Sequence, residues 1–198
     1  MTSLVILAVA AYAATNIDNL CVLLAFLADA RDGRYRVIVG QFLGSAALVV
    51  VALAVAALLT KLPEPYIGLL GFLPVTVGIV KGWTWLRSRS AVEQAEVASA
   101  SRGSSPWTVA GVAISNGSDN LAVYVPLYAA HPAADAVTIT LVFAAMTALW
   151  CASAVWLVNH PLLGAPLRRY GAAILPLVLI VIGISVIVQH EAWRVMIG

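Results

Sequence analysis

The sequence predicts an all-α integral membrane protein of six transmembrane helices, built as two inverted three-helix repeats. Three observations carry that expectation. The 198 residues are 62% hydrophobic and only 10% charged, with a mean hydropathy of +0.97, whereas soluble domains carry roughly 25% charged residues. Most of the length divides into apolar runs of roughly 20 residues, each long enough to cross about 30 Å of hydrocarbon as a helix. Short motifs of the first half recur in the second at a nearly constant spacing.

The runs, in order, are 3–28, 37–60, 67–86, 107–130, 136–158 and 171–189. The first is too long for a secretory signal, lacks a basic n-region and carries Asn16, Asp18 and Asn19 inside it, so it reads as a permanent helix. The second contains Ala46 to Leu59 with no polar alternate positions, which excludes a strand of a membrane barrel. A helical bundle then satisfies every backbone group in lipid. The third holds Leu73-Pro74 and, near its cytoplasmic end, Lys81, whose ammonium snorkels to the interface. Residues 87–106 are rich in Ser, Ala and charge and read as a cytoplasmic linker, so that 1–86 form the first repeat and 107–198 the second. The fourth run holds Asp119 and a kinking Pro126, the fifth Cys151, and the sixth Leu175-Pro176. Trp83, Trp85, Trp107 and Trp193 lie near run ends, where interfacial anchors belong.

Charge orients the bundle. Arg31, Arg34, Arg36, Arg87, Arg89, Arg102, Arg168 and Arg169 all lie in connections 1–2, 3–4 and 5–6, while the opposite side offers Lys61 and Arg194. The positive-inside rule makes the arginine-rich connections cytoplasmic and puts both termini outside. His131, Asp135, His190 and Glu191 then fall outside as loop residues.

The internal repeat has a direct consequence for this topology. Asp18-Asn19-Leu20 recurs as Asp119-Asn120-Leu121, an offset of 101, and Leu73-Pro74 recurs as Leu175-Pro176, an offset of 102. Each Leu-Pro leads into an apolar stretch ending in Gly-Ile, at Gly78-Ile79 and Gly183-Ile184. A unit of three helices crosses the membrane an odd number of times, so its second copy enters from the opposite side. Secondary transporters are commonly built this way, with the binding site near the midplane where broken helices of both halves meet.

Of nine acidic residues, only Asp18 and Asp119 lie well inside hydrophobic runs. Each costs about 2.5 to 3.5 kcal/mol at the bilayer centre, which makes a bystander role improbable; the structural alternative is a protonated or hydrogen-bonded pair joining helices 1 and 4. Oxygen donors gather on the same turns: Thr15, Asn16 and Asn19 around Asp18, and Ser115, Asn116, Ser118 and Asn120 around Asp119. A partly dehydrated cation needs such a shell, though Asn and Ser serve equally as interhelical hydrogen-bonding groups. Pro74 and Pro176 each remove a helix bond, freeing the carbonyls of Leu70 and Ala172 as further ligands or simply kinking the helix. Cys21, three residues after Asp18, shares its face; as a thiolate it favours a soft metal such as cadmium or zinc, and otherwise it is a small buried hydrophobe.

The runs Ala14-Thr15-Asn16-Ile17-Asp18-Asn19-Leu20 and Ile114-Ser115-Asn116-Gly117-Ser118-Asp119-Asn120-Leu121, the second continuing to Leu127, resemble the bacterial cadmium-resistance transporter family of the lysine-exporter superfamily. The resemblance covers the chain in length and layout. It implies proton-driven export of a divalent cation across the bacterial cytoplasmic membrane, cadmium first, with zinc or manganese next, and it points to Asp18, Asn19, Asp119 and Asn120 as the ion-site residues. The partners expected are that ion, protons and the bilayer; neither a cofactor nor nucleic acid is expected, and self-association is left open. Related families move amino acids, which makes an amino-acid or other small-cation exporter the alternative within transport. Paired intramembrane aspartates also suit an aspartyl protease, and Cys21 with Cys151 a thiol-disulfide carrier, although neither cysteine has the Cys-x-x-Cys partner that such chemistry uses.

Overall fold

A computed structural model of the chain describes residues 2–30, 33–59, 61, 64–87, 105–159, 180–184 and 186–188. The described part is helical, without strands. In order the helices are α1 (Thr2–Thr15), α2 (Ile17–Asp29), α3 (Arg34–Leu59), α4 (Glu64–Leu69), α5 (Phe72–Arg87), α6 (Pro106–Ser115), α7 (Ser118–Ala129) and α8 (Ala133–Asn159). Residues 180–184 and 186–188 are also helical. The first, third and fourth apolar runs therefore each fold as two successive helices, while the second and fifth fold as single helices.

Only α3 and α8 are unbroken helices long and apolar enough to cross a bilayer among the described residues. At 1.5 Å per residue they are roughly 40 Å long. Just 28% of the most apolar window of α3 and 33% of that of α8 is buried inside the protein. A soluble core helix would be covered almost entirely, so these helices present their apolar surface to a solvent other than water. Val50, Leu58, Leu141 and Leu149 lie on that outward surface, Ile6 of α1 is likewise exposed, and Trp83, Trp107 and Trp156 are exposed close to helix ends.

Side-chain competition with the backbone produces the breaks. Thr15 Oγ1 donates to the Ala11 carbonyl at 2.9 Å and Asn16 Nδ2 to the Tyr12 carbonyl at 3.0 Å. Ser115 Oγ does the same to the Val112 carbonyl at 2.9 Å. Such back-bonding bends a helix. Asn16 takes φ −109° and ψ 10°, yet the Asn16 N–H still reaches the Tyr12 carbonyl and the Leu20 N–H the Asn16 carbonyl, so the chain bends there without unwinding. At Asn116-Gly117 the turn tightens, the Gly117 N–H donating to the Ile114 carbonyl at 2.9 Å.

Two apolar clusters lie on either side of these breaks. One joins Leu4 to Ala14 of α1 with Val123 to Ala129 of α7, Ile139 to Met146 of α8 and the later part of α3. The other joins Leu20 to Ala30 with Val37, Val109, Val112, Cys151 and Ala154. Because α1 precedes its break and α7 follows its own in the same cluster, the two broken helices run antiparallel and cross at Asn16 and Asn120. By contrast, α3 runs parallel to α6 and α7. Cβ atoms built at Gly40 and Gly44 would meet Val109 and Ala113 at 2.7 Å, and one at Gly117 would meet Leu48. Likewise α8 runs parallel to α1 and α2, with Thr147 at Tyr12 and Trp150 at Asn16. Each long helix thus lies along the broken helix of the other half of the chain.

Pro74 does not free the Leu70 carbonyl, contrary to the expectation from the sequence. Pro74 stands in the first turn of α5, where a missing N–H leaves no helix bond unmade. The Leu70 carbonyl is not freed: it lies in the α4–α5 break and accepts the Leu73 N–H at 3.0 Å. The corresponding Ala172 and Pro176 lie outside the described residues, as do His160, most of the linker and both arginines of connection 5–6.

Candidate functional site

Between the two apolar clusters runs a belt of buried polar residues: Thr15, Asn16 and Asn19 at the α1–α2 break, Gln41 in α3, Asn120 in α7 and Thr147 in α8. Buried amides among apolar helices must find partners, because an unmet polar group away from water is costly. Two residues act as hubs.

The first hub is Asn16. Its Nδ2 donates to the Tyr12 carbonyl at 3.0 Å and to the Tyr124 hydroxyl at 2.8 Å, with the Thr15 hydroxyl also within 3.2 Å. Its Oδ1 accepts the amides of Asn19 at 3.2 Å and of Asn120 at 3.4 Å. Its backbone carbonyl accepts the Trp150 indole N–H at 2.8 Å. One residue at a helix break thereby joins α1, α2, α7 and α8.

Thr147 is the second hub. Its hydroxyl donates to the Phe143 carbonyl at 2.8 Å and so has no further proton to give. The Tyr12 hydroxyl at 2.9 Å and the Ser45 hydroxyl at 3.0 Å are therefore the donors to it. Rings close over this centre, with Phe143 packed against Tyr12, Tyr124 and Tyr128 at centroid distances of 5.5, 4.3 and 6.1 Å, and Trp150 edge-on to Tyr12. Interhelical hydrogen bonds in membranes average about 0.6 kcal/mol each. Thr147→Val, which strands two donors, is expected to cost about 1 kcal/mol and Tyr12→Phe about half that, measured by thermal or denaturant unfolding in detergent.

The structure brings Thr15, Asn16, Asn19 and Asn120 together. Asn120 is 2% exposed, and its Oδ1 is buried with no hydrogen-bond partner among the described residues. Asp119 is half-buried in the first turn of α7, an end at which negative charge is favoured. Asp18 occupies the matching position, second residue of α2 after its break. The side chains of Asp18, Cys21 and Ser118 lie outside the described residues. Ser115 and Asn116 are exposed and do not join the buried cluster. Tyr12, Gln41, Ser45, Tyr124, Thr147 and Trp150 are part of the belt or its lining that sequence reasoning missed. Only Gln41, an amide inside an apolar run, carries a signal of its own.

A helical bundle whose long apolar helices are exposed to the outside and whose polar residues are buried between the helices has the character of a membrane protein. The chain belongs to the cadmium resistance transporter family (Cad), whose model matches residues 12–197. This is a family of transporters rather than enzymes. No curated protein and no solved structure matches the chain significantly.

Proposed function

We propose that the chain is a proton-coupled divalent-cation exporter of the bacterial cytoplasmic membrane, cadmium being its principal substrate, with one ion site between Asp18 and Asp119. The observation that carries this reading is the orphaned Asn120 Oδ1, a buried acceptor on the residue that follows Asp119, whose NH2 end meets Asn16 at the break of the other broken helix. A buried oxygen without a donor costs free energy that a bound cation recovers. Family membership supplies the ion, and the two Asp-Asn pairs supply carboxylate and amide oxygens suited to a dication.

On this reading the chain spans the membrane six times as two inverted three-helix units, with both termini outside. The antiparallel crossing of the broken helices supports it, as does the pairing of α3 and α8 along each other's broken neighbours. Ser45 and Thr147, which hydrogen-bond at 3.0 Å, are themselves separated by 102 residues. That is the repeat offset, as a two-fold axis passing between them requires. Rocking one half against the other about this axis opens the site alternately to each side.

Coupling follows from the ligands. A carboxylate binds metal only when deprotonated, so metal and protons compete for the same oxygens. Metal loads from the cytoplasm, and protons arriving from outside displace it outward. Purified protein in liposomes, with a proton gradient imposed and cadmium, zinc, manganese, calcium and lysine offered in turn, tests the proposal. Cadmium flux that collapses with the gradient is expected; lysine flux without cadmium flux would overturn it.

A further inference from the structure

We infer that Asn16 is a positioning residue that makes the site oxygen-faced and hence selective for cations, rather than a ligand of the ion. This rests on the cation-site reading above and adds the residue that sets its polarity.

Hydrogen-bond directions fix the amide orientations one after another. An amide side chain offers an oxygen at one end and two N–H donors at the other, and without an external constraint either end can face a ligand. The constraint here is the Tyr12 carbonyl. A backbone carbonyl only accepts, so the group 3.0 Å from it must be the NH2 of Asn16. Asn16 Oδ1 therefore points the other way and can only accept. Asn19 and Asn120, at 3.2 and 3.4 Å from it, are obliged to present their NH2 groups to that oxygen. Their own carbonyl oxygens turn away from Asn16, and Asn120 Oδ1 is indeed left without a donor inside the belt. One carbonyl at a helix bend thus propagates through one amide to orient two others. The oxygens are delivered to the side chains adjacent in sequence to the two aspartates. Asn16 has both ends of its own amide engaged and offers the ion nothing.

Outer groups that orient ligands typically change metal affinity 10–100-fold when removed. The test measures cadmium binding by equilibrium dialysis, together with transport KM and kcat, on the full-length protein in nanodiscs or liposomes. Asn16→Leu is expected to weaken cadmium binding and raise KM about 10–100-fold, because Asn19 and Asn120 are then free to turn their N–H groups toward the cation. Asn16→Asp separates positioning from ligation. A ligand replaced by a carboxylate binds a dication as well or better, whereas a positioning amide that loses its donor to Tyr12 weakens binding as the leucine does. Melting curves of both Asn16 variants control for packing. Unaltered cadmium affinity in a folded Asn16→Leu protein, or tighter binding in Asn16→Asp, overturns this inference alone. Failure of the unmodified chain to bind cadmium overturns the cation-site reading with it.

Discussion

Asp119→Asn is expected to abolish cadmium transport while leaving the protein folded. The residue occupies the second position of α7, half-buried, next in sequence to the amide whose oxygen lacks a donor. Asparagine preserves shape and removes the charge. A dication left with amide oxygens at that end loses a partner in a medium that screens poorly, and breaking a buried charge pair in this way costs about 3–5 kcal/mol. At about 1.4 kcal/mol per tenfold, that is a loss of roughly two to three and a half powers of ten in affinity. Asp18→Asn is expected to do the same, since it holds the equivalent position in α2. Transport by purified variants in liposomes, with melting curves to certify folding, checks both. Retention of cadmium flux within about twofold by either variant would remove the two-carboxylate site.

How much of this could be read in the chain beforehand follows from what each feature depends on. Hydropathy is a property of single residues averaged over a window, and it located the helical stretches closely: run 37–60 is α3 at Arg34–Leu59, and run 136–158 is α8 at Ala133–Asn159. The breaks at Asn16 and Asn116-Gly117 span one or two residues, too few to change a window average. Nevertheless Thr15, Asn16 and Ser115, which cause them, were visible as polar residues in apolar surroundings. Ser45, Thr147 and Trp150 gave no warning. Their roles arise from partners more than 100 residues away, and a serine or threonine in an apolar helix usually bonds its own backbone. Pro74 misled for a related reason. The rule that proline frees a carbonyl four residues back presumes a helix already running, and here the helix starts two residues before the proline. Sequence neighbours also parted company, Asn116 turning out to be exposed and Asn120 buried one turn later.

Gly40→Leu is expected to be the most destabilising single change in α3. This helix approaches α6 through Gly40 and Gly44, one turn apart on one face. A Cβ at Gly40 would lie 2.5 Å from the Pro106 carbonyl oxygen and 2.7 Å from Val109 Cβ. The first of these is backbone and cannot rotate away, so the helices must separate. Over-packing typically costs about 1–3 kcal/mol, and a four-carbon side chain against main chain belongs at or beyond the upper end. Separation would also draw Leu48 off Gly117, disturbing the break that precedes Asp119. The contrasting position is Gly111 in α6, where a Cβ would meet nothing within 4 Å. There, leucine improves helix propensity by roughly 0.7 kcal/mol and faces outward, so Gly111→Leu is expected to melt at or slightly above the wild-type temperature. If helix flexibility were what these glycines supply, both leucines would be harmful. If close approach is what they supply, only Gly40→Leu will be, and equal melting temperatures for the two variants in detergent would show that α3 and α6 do not meet as described.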